Sequence, residues 1–509
     1  MQRAAAAAAG EIAHRFPDSL AQGVLILTGA GNNGGDGWCI ASALHACGIA
    51  VRVIECAASR TPDAIAERAH AIASGVVVTN AAAAGATRAT ATDALDALDA
   101  GGERIVVDAL LGTGFAAGTP LRGAIASAVA ALRSVEARGV QVIALDVPSG
   151  LDASTGQSEG AARCALTLTF GTVKRGQLIA RELCGAIVGL DIGLGHHTTA
   201  AGGVRIADVT WFRRHLPAIS AQAHKGTRRK VVIVGGAEGM AGAAMLAARG
   251  ALRSGAGMVK CLVAPQSLGA VQSGEPAVLA GSWPTSDAEA AERISSWADA
   301  VLVGPGLGGE HAREIVERVL RVFAGPVVLD ADSLNAFAGD AAELHQLVGP
   351  RPALLTPHPV EFGRLSGLPV ADVLANRFDA PANLARTTGA AVLLKGVPTI
   401  VSAVDGTTIV VAEGTPLLAT GGAGDVLGGI AVVLLAQTGD ALLAGALAAF
   451  AHGRAAALVS ARQVRGYTLD DVMLALPDVW AVAPGIPRPP VLFELPAVGE
   501  VIAPGETRT

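Results

Sequence analysis

Charge is scarce in this chain, and lysine scarcest of all. Only 16% of the 509 residues are Asp, Glu, Lys or Arg, and five lysines stand against 33 arginines, so a lysine inside a motif is seldom incidental. The formal net charge is −6, and basic residues form only short clusters such as Arg228-Arg229-Lys230. No footprint for a phosphate backbone remains, which excludes nucleic acid as the expected partner. The six cysteines (Cys39, Cys47, Cys56, Cys164, Cys184 and Cys261) include no Cys-x-x-Cys pair and accompany no histidine cluster at metal spacing. They read as buried free thiols in a reducing, cytoplasmic setting. Ala4 to Ala9 is too short for a signal peptide and is followed by Glu11, His14 and Arg15, while Ile430 to Phe450 is broken by Gln437-Thr438-Gly439-Asp440. No membrane is expected as a partner, and the second stretch reads as two buried helix segments. The chain also lacks Gly-x-x-x-x-Gly-Lys-Ser/Thr, which excludes a P-loop.

What is present is apolar: 51% of the residues, a balance that suits α/β domains whose strands are buried on both faces. Hydrophobic cores stop growing near ~250–300 residues, so two large domains are expected. Short β-branched runs alternate with Ala-rich stretches of helical length, at Val24–Thr28, Val51–Glu55, Val76–Thr79, Ile105–Val107, Val140–Leu145, Leu166–Phe170 and Ala186–Leu190. The segment from Trp211 to Lys230 breaks the rhythm and holds the expected boundary. The alternation restarts at Val231–Val234, Ala300–Val303, Val327–Leu329, Leu354–Leu355, Val392–Leu394 and Thr408–Val411. The Pro- and Gly-rich tail beyond Pro484 is expected to be loosely held.

In the first half, Gly29-Ala30-Gly31-Asn32-Asn33-Gly34-Gly35-Asp36-Gly37 follows the first strand. It contains Gly-x-Gly-x-x-Gly, and Glu55 closes the second strand about where a ribose-binding acid belongs, so a dehydrogenase enters as a third reading. Against it, Asp36 would bring a carboxylate to the pyrophosphate, and Gly35 and Gly37 weaken the helical turn that should receive it. A plainer alternative makes Asp36 a helix cap. Two further strands end in Asp108-Ala109-Leu110-Leu111-Gly112-Thr113-Gly114 and Asp146-Val147-Pro148-Ser149-Gly150. Each polar residue alone would more often be a turn or cap residue. Their shared position at strand ends favours one joint site.

These motifs resemble those of the YjeF-type NAD(P)H-hydrate epimerases, over roughly residues 1–212. The resemblance implies that Asn32, Asn33, Gly34, Gly35, Asp36, the loop Gly112, Thr113, Gly114, Phe115, Ala116, Ala117, Gly118, and Asp146 contact a hydrated dinucleotide. It further implies that Asn33, Asp108 and Ser149 hold a potassium ion, and all-oxygen ligation suits a hard cation. The segment Gly171-Thr172-Val173-Lys174-Arg175-Gly176 matches a later loop of the family. Epimerisation at C6 of the hydrated ring needs an acid/base beside the hydroxyl, and Asp146 is the candidate.

In the second half, Thr420-Gly421-Gly422-Ala423-Gly424-Asp425 opens a helix whose free N–H groups can hold phosphate oxygens. Asp425 alone could be an N-terminal cap, but the glycines before it favour catalysis. The loop resembles the anion hole of ribokinase-like kinases. Motifs at His224-Lys225-Gly226, Gly304-Pro305-Gly306-Leu307-Gly308, Leu329-Asp330-Ala331-Asp332, Thr356-Pro357-His358-Pro359-Val360-Glu361 and Leu394-Lys395-Gly396-Val397-Pro398-Thr399 narrow the likeness to the NAD(P)H-hydrate dehydratases. The resemblance implies that Ala243, Gly306, His358 and Asp425 line the hydrated dinucleotide. It places the nucleotide co-substrate on Lys395, Gly396, Val397, Pro398, Thr399 and Gly424. Ala423 departs from the threonine common in the family loop, and Glu361 sits where related kinases keep a magnesium-linked acid.

Together the resemblances imply two three-layer αβα domains, a Rossmann-like YjeF-type domain over 1–212 and a ribokinase-like domain over 220–484. The implied work is epimerisation and dehydration of hydrated NADH and NADPH with catalytic Asp146 and Asp425, K+ in the first domain, Mg2+ in the second, and ADP, or ATP, as co-substrate. The Ala-rich helices lead to an expected homo-oligomer. The runner-up is a vitamin or sugar kinase of ribokinase type fused to a binding domain. A non-catalytic interaction scaffold is a further class, disfavoured by Asn33, Asp108, Asp146 and Ser149 standing together.

Overall fold

A computed structural model describes residues 1–80, 102–193, 203–461, 465–481 and 488–498. The strands are β1 Val24–Thr28, β2 Val51–Glu55, β3 Val77–Asn80, β4 Ile105–Ala109, β5 Gln141–Leu145, β6 Leu166–Phe170, β7 Ala186–Leu190, β8 Val204–Ala207, β9 Lys230–Val234, β10 Met258–Val263, β11 Leu279–Ser282, β12 Ala300–Val303, β13 Val327–Leu329, β14 Ala353–Leu355, β15 Ala391–Leu394, β16 Thr399–Ser402, β17 Thr408–Val411 and β18 Val491–Leu495. They form two sheets, of eight strands in the order β18-β7-β6-β5-β4-β1-β2-β3 and of ten in the order β11-β10-β9-β12-β13-β14-β15-β16-β17-β8. The chain divides accordingly into one unit of residues 1–201 with 486–500 and another of 202–485 with 501–509.

In the first unit β1 to β7 run parallel, and the β-branched runs fill them because each strand is covered on both faces. One face packs Ile12, Trp38, Ile40 and Leu44 against the sheet, and the other packs Val129, Leu132 and Val135. Strand order reverses between β1 and β4, and the crevice outside the carboxyl ends at such a switch point is where open α/β sheets take their ligands. In the second unit the sheet is parallel except for the hairpin β15–β16–β17. The helices Ala241–Arg253, Ala423–Thr438 and Ala441–Ser460 cover one face, and Ala312–Val322, Ala341–Val348 and Ala380–Thr388 the other. The broken apolar stretch is two helices, as its polar interruption predicts. Among the described residues, Ala441–Ser460 is the one helix long and apolar enough to cross a membrane, and 72% of its most apolar window is buried within the protein.

Three expectations change. The boundary expected between 212 and 220 moves earlier, because β8 pairs in parallel with β17 (Val204 opposite Thr408) and Phe212 stacks on Phe450 at 4.6 Å, both within the second unit. Residues 488–498 of the tail are held and the rest of it lies outside the described residues: β18 adds antiparallel to β7, buries Leu495 at 2% exposure and sets Phe493 over Gly189, where a Cβ would lie 2.1 Å from the ring. Arg488 and Glu494 join Glu11 and Arg15 in an ion-pair network, with Arg15 and Glu494 at 2.8 Å. Of the cysteines, five are buried and Cys47 is exposed.

Because β18 closes the edge of the first sheet, deleting the chain from residue 488 onward is expected to lower the melting temperature of the first unit by on the order of 5 °C and leave the second unchanged. Differential scanning calorimetry of the truncated chain checks this; an unshifted first transition would show the strand to be dispensable.

Candidate active sites at the two sheet edges

The glycine motif of the first unit is itself the start of a helix, Asn32–Ala46, capped by Gly31. Helix propensity argues against so many glycines, but packing decides: a Cβ on Gly29 would lie 1.8 Å from the Leu110 carbonyl oxygen, and one on Gly34 2.0 Å from that of Gly29. The close approach brings Asn33 to the loop after β4. Its Nδ2 donates to the Leu111 carbonyl at 2.9 Å, while its Oδ1 is buried with no hydrogen-bond partner. Asp108 is buried too, accepting from the Ser149 hydroxyl at 2.6 Å, the Ser149 amide at 2.8 Å and the Leu110 amide at 3.2 Å. Burial raises its pKa against those three bonds. The Ser149 hydroxyl in turn accepts from the Leu111 amide at 2.9 Å. An orphaned amide oxygen, a buried carboxylate and a hydroxyl around one turn form an oxygen donor set that fits a potassium ion.

Asp146 stands across Gly112, whose Cβ position is 3.4 Å from Asn33 Cβ and 3.6 Å from Asp146 Oδ2. Its φ of 64° is left-handed, which turns the carboxyl out of the strand direction. Lys174, absent from the expected residue set, pairs with Asp146 and also donates to Thr169 Oγ1 at 2.7 Å and the Phe170 carbonyl at 3.2 Å. Gln177 Nε2 holds the Asp146 carbonyl at 2.7 Å. The scarcity of lysine was the signal that could have singled out Lys174. Asp36 is no cap: it sits in the second helical turn, one turn on from Asn32 and Asn33. Burial pushes its pKa up to about 7, the Met1 ammonium opposing and the Asp146 and Glu67 carboxylates adding. Asn32, Thr113, Gly114, Ala116 and Gly118 are exposed along the crevice, with Phe115 and Ala117 half-buried. Glu55 is not free for a ribose: it is 1% exposed and held by Arg68 at 2.7 and 3.0 Å, which removes the dehydrogenase reading.

In the second unit, Asp330 follows β13, is 1% exposed and accepts from Lys395 Nζ at 2.6 Å. Burial pulls the Lys395 ammonium down, and the Asp330 and Glu361 carboxylates outweigh it, so its pKa is raised. Gly424 meets this pair from the helix Ala423–Thr438, a Cβ there falling 3.2 Å from Lys395 Nζ and 3.7 Å from Asp330 Oδ2. Asp425 makes no capping bond, since the N-cap is Gly422. Burial first, then Asp330, Asp332 and Glu361, push Asp425 up to about 7 with Lys395 opposing. Behind them lies a residue the sequence reading missed: His452 is buried, its Nε2 is unpartnered, and burial together with Lys395 lowers its pKa to about 4.

His358 is the N-cap of the helix Pro359–Ser366, its Nδ1 accepting from the Val360 amide at 3.1 Å and the Glu361 amide at 3.3 Å. The cap leaves the side chain of His358 46% exposed. Glu361 is committed to the same cap, accepting from the His358 amide at 2.8 Å. Among the described residues no group of three or more His, Cys, Asp or Glu is placed to hold a metal. That leaves the kind of site Mg2+ takes beside a nucleotide, one or two carboxylates completed by phosphate oxygens. Gly306, with φ of 55°, lies against Ala243 so closely that a Cβ would be 2.9 Å from Ala243 Cβ, and Asp332 holds the Gly308 amide at 2.9 Å. Gly396 and Val397 are exposed and Pro398 buried, and Thr399 Oγ1 donates to the Gly396 carbonyl at 3.0 Å. Arg377, also unanticipated, holds the Val397 carbonyl at 2.9 Å.

Residues 1–176 match a family model described as YjeF-related protein N-terminus, and residues 231–478 match one described as NAD(P)H-hydrate dehydratase. A bifunctional NAD(P)H-hydrate repair enzyme of Salinibacter ruber is 35% identical over 507 residues, covering 94% of this chain and 91% of that protein. The Escherichia coli enzyme of the same description is 32% identical over 486 residues, covering 94% and 88%. A Bacillus subtilis ADP/ATP-dependent NAD(P)H-hydrate dehydratase co-crystallized with ATP/Mg2+ is 29% identical, covering 54% of this chain and 96% of that one, with a TM-score of 0.47. Two matching family models and relatives that align along almost its whole length place this chain in the family of bifunctional NAD(P)H-hydrate repair enzymes.

Proposed function

We propose that this chain restores hydrated NADH and NADPH, its first unit interconverting the R and S epimers at C6 and its second dehydrating the S form with ADP, or ATP, as phosphoryl donor. The observation that carries the reading is the placement of Asp425: a carboxylate without a capping bond, at the start of a glycine-opened helix and beside the Asp330–Lys395 pair. With a pKa of about 7, it is poised to accept a proton from an alcohol at neutral pH. As Asp425 takes the proton of the C6 hydroxyl, the oxygen attacks the terminal phosphorus and the bond to the departing nucleotide breaks, giving AMP from ADP. The amides at 421–424 and the Lys395 ammonium face the charge that develops on the phosphoryl group. The C6–O bond then breaks to release phosphate, and loss of the C5 proton restores the ring double bond. A divalent cation, which on this donor set would draw its ligands from the phosphates, would supply charge neutralisation there.

In the first unit, Asp146 with Lys174 faces the crevice from one side and Asp36 from the helix opposite. Protonation of the C6 oxygen lets water leave, and return of water to the other face with loss of a proton completes the inversion; Asp146 and Asp36 are the groups that give and take these protons. Asn33, Asp108 and Ser149 would hold potassium, whose charge favours binding of the anionic dinucleotide. Asn32 and the loop from Gly112 to Gly118 supply the remaining contacts.

Asp425→Asn is expected to cut dehydration by about 10²–10⁴-fold while epimerisation continues. In the unaltered protein the dehydration rate should fall below a pH of about 7, because only the ionised carboxylate accepts a proton, and level off above it. Recovery of nicotinamide absorbance from the S epimer reads both; a pH-independent rate or an active Asp425→Asn protein would overturn the role. Given mixed epimers with magnesium and ADP, the Asp146→Asn protein should restore only the S fraction, and chromatographic separation of R and S would show the R form persisting. Potassium should raise the melting temperature of the protein relative to choline, and Asn33→Leu should abolish that difference in differential scanning fluorimetry.

A further inference from the structure

Between β4 and the helix Gly123–Glu136 the loop of Gly112 to Gly118 is only two turns, closed by the Phe115 amide on the Gly112 carbonyl and the Thr119 amide on that of Ala116. Its backbone is nevertheless gripped from outside. Asp152, 8% exposed, accepts from the Ala117 amide with Oδ2 at 2.9 Å and from the Ser154 and Thr155 amides with Oδ1 at 2.8 and 2.9 Å. Those bonds, the one from Ala117 foremost, lower its pKa. Glu159 adds a second hold, accepting from the Gly118 amide at 3.1 Å.

The turn that carries Asp152 also sets the lysine. The Gly176 amide donates to the Ala153 carbonyl at 2.7 Å, and a Cβ on Gly176 would fall 2.1 Å from the Asp152 carbonyl oxygen. Gly176 lies in the helix Arg175–Ile179, whose N-cap is Lys174. One short turn thus touches both the loop on one side of the crevice and the helix start that delivers Lys174 to Asp146.

We infer that Asp152 is the positioning residue of the first site, its carboxylate holding the Gly112–Gly118 loop to the turn that packs on the helix start of Lys174, so that both meet the hydrated dinucleotide already in place. The inference rests on the reading of this crevice as the epimerase site. Asp152 has no part in the proton transfers. A loop freed from it would have to be ordered on binding, which raises KM without changing the rate from the bound state.

Asp152→Asn is close to isosteric, but one of its two acceptors becomes an NH2 group facing an amide N–H, so it cannot satisfy both Ala117 and the turn. In the full-length protein it is expected to raise the epimerase KM for hydrated NADH about tenfold with kcat within about twofold, to leave dehydration of the S epimer unchanged, and to speed hydrogen exchange at the Ala117 amide. Glu159→Ala, at an exposed side chain, should raise KM by a smaller factor, about threefold, and decides the matter if Asp152→Asn fails to fold. Unchanged KM and unchanged Ala117 exchange, or a fall in kcat at constant KM, would overturn the inference. An unaltered protein that binds hydrated NADH but does not epimerise it would instead overturn the reading of the site, while Ala117 exchange would still report on the tether.

Discussion

A carboxylate removed from water at the end of a buried strand must be compensated, and in each half of this molecule one such acid is compensated by a single lysine. Asp146 is met by Lys174 and Asp330 by Lys395, two of only five lysines in the chain. Leaving either acid unpaired would cost several kcal/mol, so each pair fixes the geometry of its crevice before any ligand arrives. The consequence reaches a second carboxylate in each half. Asp36 and Asp425 have no lysine of their own, and burial above all, with nearby acids adding, drives both to about 7. Two unrelated glycine loops therefore present similar electrostatics, a lysine-paired acid beside a second acid poised near neutrality.

Backbone proximity makes these arrangements possible. The approach of Gly29 to Leu110 and of Gly34 to Gly29 lets the first helix begin almost on top of the loop after β4, which places Asn33 against Leu111 and Gly112. In the second unit the approach of Gly424 to Lys395 does the equivalent work, setting the free amides of a helix start beside that lysine. Both sets of residues stand at neighbouring carboxyl ends of their sheets, the edge at which open α/β sheets take ligands.

Much of the architecture could be read from local pattern. Strands such as Val24–Thr28, Ala186–Leu190 and Ala300–Val303 are continuous apolar runs because both faces are covered, and they stand where periodicity places them. Weaker strands escaped it. Met258–Val263 carries Lys260, Leu279–Ser282 is partly exposed and Thr399–Ser402 begins immediately after a proline turn, so none reads as an apolar run. Asp36 was open to two readings, since a residue after glycines resembles a cap until the helix is seen to begin at Asn32.

Residue order alone determined two α/β halves, the glycine loops at strand ends and the acids Asp108, Asp146 and Asp425, because hydrophobic periodicity and turn chemistry are local properties of the chain. Tertiary structure alone decided which charges meet. The partnership of Lys174 with Asp146 spans 28 positions and that of Lys395 with Asp330 spans 65, and only strand order makes them neighbours. It also returned β18 to the first sheet from the far end of the chain and moved β8 into the second, since an edge strand is claimed by whichever open sheet edge can satisfy its backbone.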